Sequence, residues 1–184
     1  MTHRRPLAVL FASLFATALA AQQGAPPPPA PGAAARMAPL AFLVGEWEGE
    51  AWIQMGPGRR DTVRQQERVE WKVGEEVLLI QGLGRTVEAN TGEPRTVHDA
   101  LATIAWDPER QRHVMWTYVG GRGAGSPEVS VEPGRVVWGF ESPGGRVRFT
   151  IQLDEQGRWV ETGERSADGG RTWQPFFGMT LTRK

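Results

Sequence analysis

From Val44 onward the chain repeats one rhythm, and that rhythm limits what it can fold into. A run of residues with alternating or β-branched character is followed by a cluster rich in Gly, Pro or Asp: VGEE (73–76), DPERQR (107–112), EPGR (132–135), SPGG (142–145), DEQG (154–157) and SADGGRTW (166–173). Such clusters are turns, and the runs between them are strands. About ten strands fit, and no segment carries a long 3.6-residue apolar period. Strands joined by short hairpins are antiparallel neighbours. A sheet this long leaves two unpaired edges unless it curls shut, so the predicted fold is all-β, an antiparallel up-and-down β-barrel of about ten strands.

Residues opposite one another in a hairpin share a face, which lets the pattern be followed from strand to strand. In strand 147–153, Val147, Phe149, Ile151 and Leu153 form the apolar set and face in. Two-residue loops at Pro143-Gly144 and Pro133-Gly134 then pair Phe140 with Val147, Trp138 with Phe149, Val129 with Trp138 and Val131 with Val136. Carried across Glu155-Gln156, the same rule pairs Ile151 with Val160, which turns Glu164 inward and Trp159 and Glu161 outward. In strand 62–73 the inner set is Val63, Gln65, Glu67, Val69 and Trp71, while Arg64, Arg68, Glu70 and Lys72 face water. A four-residue loop at 108–111 pairs Val114 with Ala105, Trp116 with Thr103 and Tyr118 with Leu101, which places Asp99 inside and His98 outside. In LVGEWEGEAW (43–52), Trp47, Gly49 and Ala51 share the inner face with Ile53, and Glu46, Glu48 and Glu50 face solvent.

The N-terminal residues MTHRRPLAVLFASLFATALAAQQ read as a secretory signal peptide: Arg4 and Arg5, an apolar run, then Ala18-Leu19-Ala20 with small residues where a peptidase cuts. Cleavage is expected near Ala20 or Ala21, giving residues 1–21 as signal peptide and a periplasmic or secreted product with no membrane attachment. QQGAPPPPAPGAAAR (22–36) cannot bury a core and reads as a Pro/Ala-rich linker. Residues 37–184 have the length of one domain. Removing the signal peptide takes two of the 21 basic residues and none of the 21 acidic ones. The resulting net charge of about −2 argues against a nucleic-acid partner. The chain has no cysteine, which excludes disulfides, thiolate metal sites and a cysteine nucleophile. Nothing in the pattern specifies an oligomeric state.

Gly45-Glu46-Trp47, at the start of the first strand of such a meander, resembles the G-x-W signature of lipocalins and their relatives, the calycins. In that group the Trp closes one barrel end beneath an Arg from the last strand, and Arg183 in MTLTRK is the matching residue. FLVGEWEGE, WGFESPGGRVRFTIQLDEQGRWVETGERSADGGRTW and FFGMTLTRK resemble a bacterial group, domain-of-unknown-function family 1579, over essentially all of 38–184. That resemblance implies a calycin-like barrel and no particular activity. Two departures narrow it. Only about eight residues, QMGPGRRD, join the first two strands, where fatty-acid-binding proteins insert a helical lid. Nitrobindin-like barrels hold haem through a histidine near the C-terminal strands, whereas no histidine follows His113.

SADGGRTW fits the Asp-box pattern S-x-D-x-G-x-T-W, whose physics is that of a hairpin turn. Asp168 can accept the turn's amide protons and Trp173 can pack beneath it. GGRGAG (120–125) lacks a following helix to make it a phosphate loop and reads as an inter-strand loop. His98 and Asp99 are adjacent on a strand and point to opposite faces, and His113 lies far along the hairpin, so no metal site is expected.

The inward polar residues Gln65, Glu67, Asp99, Tyr118 and Glu164 remain, set among Trp71, Trp116, Trp138 and Phe149. Burying carboxylates without partners is costly and needs a reason. Three readings follow: a small, partly apolar ligand held inside the barrel, an enzyme (hydrolase or isomerase) using Glu67 or Glu164 as base, or a solid barrel with an interaction surface outside that exposes Trp52 and Trp159. The first is the best reading, with Gln65, Glu67, Trp71, Asp99, Trp116, Tyr118, Trp138 and Glu164 as ligand-binding residues and no cofactor. Gly45, Trp47, Arg183, Asp168 and Trp173 are expected to be structural.

Overall fold

The structure, a computed structural model, describes residues 32–88 and 90–184; the expected signal peptide and most of the expected linker lie outside them. A short helix α1 (Ala33–Met37) runs into a 3-10 helix (Ala38–Leu43). Eleven strands follow: β1 (Gly45–Gly56), β2 (Arg59–Lys72), β3 (Val77–Val87), β4 (Pro94–Asp107), β5 (Arg112–Val119), β6 (Gly123–Gly125), β7 (Glu128–Glu132), β8 (Arg135–Ser142), β9 (Gly145–Leu153), β10 (Trp159–Ser166) and β11 (Gln174–Arg183). All belong to one antiparallel sheet in the order β6-β5-β4-β3-β2-β1-β11-β10-β9-β8-β7. The sheet curls into a half-barrel of up-and-down type. One pairing departs from chain order, β1 with β11, and it brings the two ends of the domain together. β1 and β2 are joined by Pro57-Gly58 alone, with no inserted helix.

The interior is layered. At the end nearest the N-terminal helices, Met37, Leu40, Leu43, Trp47, Val69, Leu78, Ile104, Val136, Trp159 and Leu181 are fully buried. Met37, Leu40 and Leu43 plug this end, and the Trp47 indole donates to the Leu43 carbonyl at 2.8 Å, which fixes the plug to β1. Trp47 and Trp159 meet edge to face, 5.7 Å between ring centres. Such a contact adds ~1 kcal/mol to the burial of two indoles. The helices also hold the far wall: the Arg36 guanidinium lies 5.1 Å from the Trp106 ring centre and His113 Nε2 is 3.0 Å from the Arg36 carbonyl.

Most hairpin registers follow the sequence pattern. Trp138 pairs with Phe149, Phe140 with Val147, Val129 with Trp138 and Val131 with Val136. Val114 pairs with Ala105, Trp116 with Thr103 and Tyr118 with Leu101.

Two face assignments are corrected. Between β9 and β10 the register is shifted by one from the expected pairing, with Glu161 opposite Ile151 and Glu164 opposite Arg148. The connection runs from Asp154 to Arg158, whose backbones bond to each other, and Asp154 Oδ1 accepts the amides of Gln156 and Arg158. A one-residue slip exchanges the faces of a whole strand. Hence Trp159 and Glu161 point inward, 1% and 7% exposed, and Glu164 points outward. The second correction concerns β4 and β5, where the pairing is as expected but the faces are reversed. Ile104 and Met115 are buried, so Ala102, Ala100, His98, Thr117 and Val119 share the inner face with them, while Asp99, Trp116 and Tyr118 face solvent.

Candidate functional site

Above the plug, the inner face changes chemistry. Gln65 and Glu67 on β2 and Glu161 on β10 form a buried polar layer. Along β2 this is simple alternation, since Val63, Gln65, Glu67 and Val69 share one face. Gln65 Nε2 donates to Glu67 Oε1 at 2.7 Å, and the Trp138 indole donates to Glu161 Oε1 at 3.3 Å. Among the described residues, neither carboxylate has a Lys or Arg partner. Burial therefore governs both groups. It pushes Glu67 up to about 8, against the Gln65 hydrogen bond and with help from the negative charge of Glu161. It pushes Glu161 up to about 7, against the indole N–H groups of Trp138 and Trp159. The Trp159 Nε1 itself is buried without a hydrogen-bond partner of ordinary geometry.

Glycines on β3 make room for the polar layer. A Cβ at Gly82 would sit 2.7 Å from Glu67 Oε1, and one at Gly84 would sit 2.6 Å from Gln65 Oε1. Gly82 lies opposite Glu67 and Gly84 opposite Gln65, so each polar side chain folds over a glycine of the neighbouring strand. Gly49 and Ala51 on β1, between the strands that carry Glu67 and Glu161, add little bulk of their own.

Beside this layer the inner face of the half-barrel presents two unlike surfaces. The β8–β9–β11 wall is aromatic. Trp138 stacks on Phe149 with ring centres 4.1 Å apart and planes 11° apart, Phe177 meets Phe149 edge-on at 5.7 Å, and Phe140 lies 6.5 Å from Trp138 at the rim. On β3, β4 and β5 the same inner face is built from small residues, Gly82, Gly84, Ala100, Ala102, Thr117 and Val119, with His98 paired to Gly84. Trp138, Phe149 and Phe177 are half-buried, and Phe140 is exposed.

Of the expected binding residues, the structure brings Gln65, Glu67 and Trp138 together on the inner face. Trp71 also faces in, lower down against the core. Asp99, Trp116 and Tyr118 are not in the site. Trp116 and Tyr118 are each 51% exposed on the outside, and Asp99 borders a depression of about 540 Å³ that is lined mainly by outward-facing residues such as Arg68, Gln81, Leu101 and Lys184 and that also reaches Glu67 and Gly82. Glu164 is outside too, held by Arg148 at 2.6 Å. Glu161 takes its place, a residue that counting the 154–158 connection as one residue longer would have turned inward. The outer surface also differs from expectation at two indoles: Trp159 is core, and Trp52 lies beneath Arg60, whose guanidinium is 3.9 Å from its ring centre.

The five structural residues occupy two devices. Arg183 lies over Trp47 at 4.1 Å and donates to the carbonyls of Phe42, at 2.9 Å, and Val44. Gly45 adopts φ +136°, a conformation that calls for glycine, and a Cβ there would also displace the Arg183 guanidinium, whose Nη1 lies 2.6 Å away. In the second device Asp168 Oδ1 accepts from the amides of Arg171 and Thr172 and from the Ser166 hydroxyl, while Oδ2 accepts from the Thr172 hydroxyl. These bonds hold the Asp168 carboxyl down at about 2. Trp173 donates to the Gly170 carbonyl and is capped by Arg148, 4.0 Å from its ring centre. Every acceptor bond of Asp168 is spent inside its own turn.

The chain superposes on the crystal structure of Rv2717c from M. tuberculosis with a TM-score of 0.54 and 14% identity, covering 80% of this chain and 96% of that one. No family model matches the chain, and no curated protein does. The structural likeness is one of fold: a single antiparallel sheet curled on itself.

Proposed function

We propose that the protein is an exported binding module that holds a small, partly apolar ligand in the mouth of the half-barrel. What carries the reading is the polar layer: two buried carboxylates and an amide lie under an aromatic wall, facing a wall of glycine and alanine. A half-barrel stabilised for its own sake would fill these positions with apolar side chains, which cost less to bury. Aromatic walls with a few placed polar groups are the common composition of small-molecule sites. Export rests on the N-terminal sequence, with its two arginines, apolar run and Ala-Leu-Ala end.

Mass spectrometry of the protein purified from the periplasm tests both parts. The denatured chain is expected to begin near Gln22, and the native ion is expected to carry extra mass that denaturation removes. An intact N-terminus would defeat export. Equal native and denatured masses, together with no binder from a fragment screen monitored at the Trp138 indole, would defeat the binding reading.

A further inference from the structure

We propose that the ligand of the mouth is a small organic cation, an amine whose apolar body lies against Trp138 and Phe149 and whose charge is met by Glu161 and Glu67. This rests on the binding reading above and names its chemical class.

The hydrogen bonds to the two acids run in one direction. Both carboxylates are supplied with donors, the Gln65 amide for Glu67 and the Trp138 indole for Glu161. The buried Trp159 N–H adds a donor dipole near Glu161 that closes no bond of its own. These donors favour the ionised form while burial opposes it, so the two acids are set to give up their protons once a cation lies beside them.

Among the described residues, no Lys or Arg side chain pairs with either acid. The half-exposed acid Glu164 has Arg148 at 2.6 Å, and Glu48 and Glu70 on the surface have lysines. The other charged or titratable groups of the inner face are already engaged or are distant. Arg183 is committed to Trp47 at the closed end, Arg165 at the rim lies over Phe176 at 4.1 Å, and Asp61 pairs with Arg59. His98, on β4, is driven toward its neutral form by burial and by the positive charge of Arg122.

The surroundings of the acids favour an organic cation over a metal ion. A hard metal needs about six oxygen ligands. Here two carboxylates and one amide face an aromatic wall, and among the described residues no group of three or more metal-ligating side chains occurs. Aromatic faces next to acids are what recognises an ammonium group bearing carbon.

Isothermal titration of the mature protein with three probes of equal shape decides the matter: 2-phenylethylamine, 2-phenylethanol and phenylacetate. The amine is expected to bind at least tenfold more tightly than the alcohol, with phenylacetate weakest. Its affinity is expected to rise from pH 6 to pH 8 as the two acids ionise. Glu161→Gln and Glu67→Gln are each expected to weaken the amine at least tenfold with the circular dichroism spectrum unchanged. Glu164→Gln, on the outer face, is expected to leave it unaltered. Should Glu161→Gln fail to fold, Trp138→Phe, which keeps the ring wall and removes the indole N–H, is expected to weaken the amine more than the alcohol. Alcohol binding equal to the amine, or amine binding unchanged in both glutamine variants, would overturn the cation and leave the mouth as a binding site. Failure of all three probes to bind at millimolar concentration would overturn the cation, and the native and denatured masses would then decide the binding reading separately.

Discussion

Arg183 lies over the ring of Trp47 and ties the last strand of the sheet to the first. Its guanidinium carbon stands 4.1 Å from the ring centre, and its two terminal nitrogens reach the carbonyls of Phe42 and Val44. Those carbonyls belong to the end of the 3-10 helix and the residue after it, where the helix leaves acceptors unpaired. One side chain therefore closes the barrel end, caps the plug and covers an indole. Arg183→Ala is expected to lower unfolding free energy by ~1–2 kcal/mol in urea titration, from the lost cation–π and hydrogen-bond contacts. Arg183→Lys is expected to recover only part, because a single ammonium cannot serve two carbonyls and the ring at once.

The glycines of β3 are expected to respond to the side chains above them. Gly82→Ala places a methyl group against Glu67 Oε1 and is expected to cost ~1–3 kcal/mol as an overpacked interior does. Glu67→Ala in the same chain removes the obstacle. The double variant is then expected to be more stable than the sum of the single effects, a coupling that a double-mutant cycle reads directly. Additive effects would mean that Glu67 does not lie over Gly82.

Stability is expected to fall as pH rises from about 5 to about 8. The unfolded chain ionises Glu67 and Glu161 near 4.5, whereas the folded protein keeps their protons up to about 8 and about 7. Over that interval unfolding releases protons, so each increase in pH favours the unfolded state, and above about 8 the curve flattens. Glu67→Gln is expected to shrink this slope and to raise the melting temperature at pH 8 more than at pH 5. A melting temperature that rises over the same interval in the parent would contradict the burial of these acids.

At the acid end the Asp-box turn governs. The Asp168 carboxyl, held at about 2 by its own turn, contributes stability that is complete above the usual carboxylate value and is lost as pH falls toward 2. Asp168→Ala is expected to lower the melting temperature at neutral pH and to reduce its further fall below pH 4. Ligand binding in the mouth is expected to be unchanged, since Asp168 and Trp173 are engaged within the turn and by Arg148.

How much of this could be read from the sequence depends on where each strand's information lies. The β7–β8–β9 hairpins were legible because Pro-Gly loops fix a two-residue connection and one face is plainly apolar, so Trp138 meets Phe149 as alternation requires. The face of β10 was not, because Asp154 organises a connection from 154 to 158 that composition does not count. One residue of slip exchanged Glu161 for Glu164. The faces of β4 and β5 were obscured by the site itself. The inner wall is small, with Gly82, Gly84, Ala100 and Ala102, while Leu79, Leu83, Leu101, Trp116 and Tyr118 lie outside. Hydrophobicity alone points the bulky set inward, and what reverses it is the burial of Ile104 and Met115 lower on the same strands.

Among the described residues, Glu67 and Glu161 lie buried in the half-barrel with donors but no counter-cation. Carboxyl-carbon NMR of the ligand-free protein, titrated from pH 3 to pH 10 and assigned with the two glutamine variants, measures this directly. The expected result is two late transitions, at about 8 and about 7, well above the other glutamates. Transitions for both near 4.5 would place the carboxylates in water or beside a cation and would contradict their burial without one.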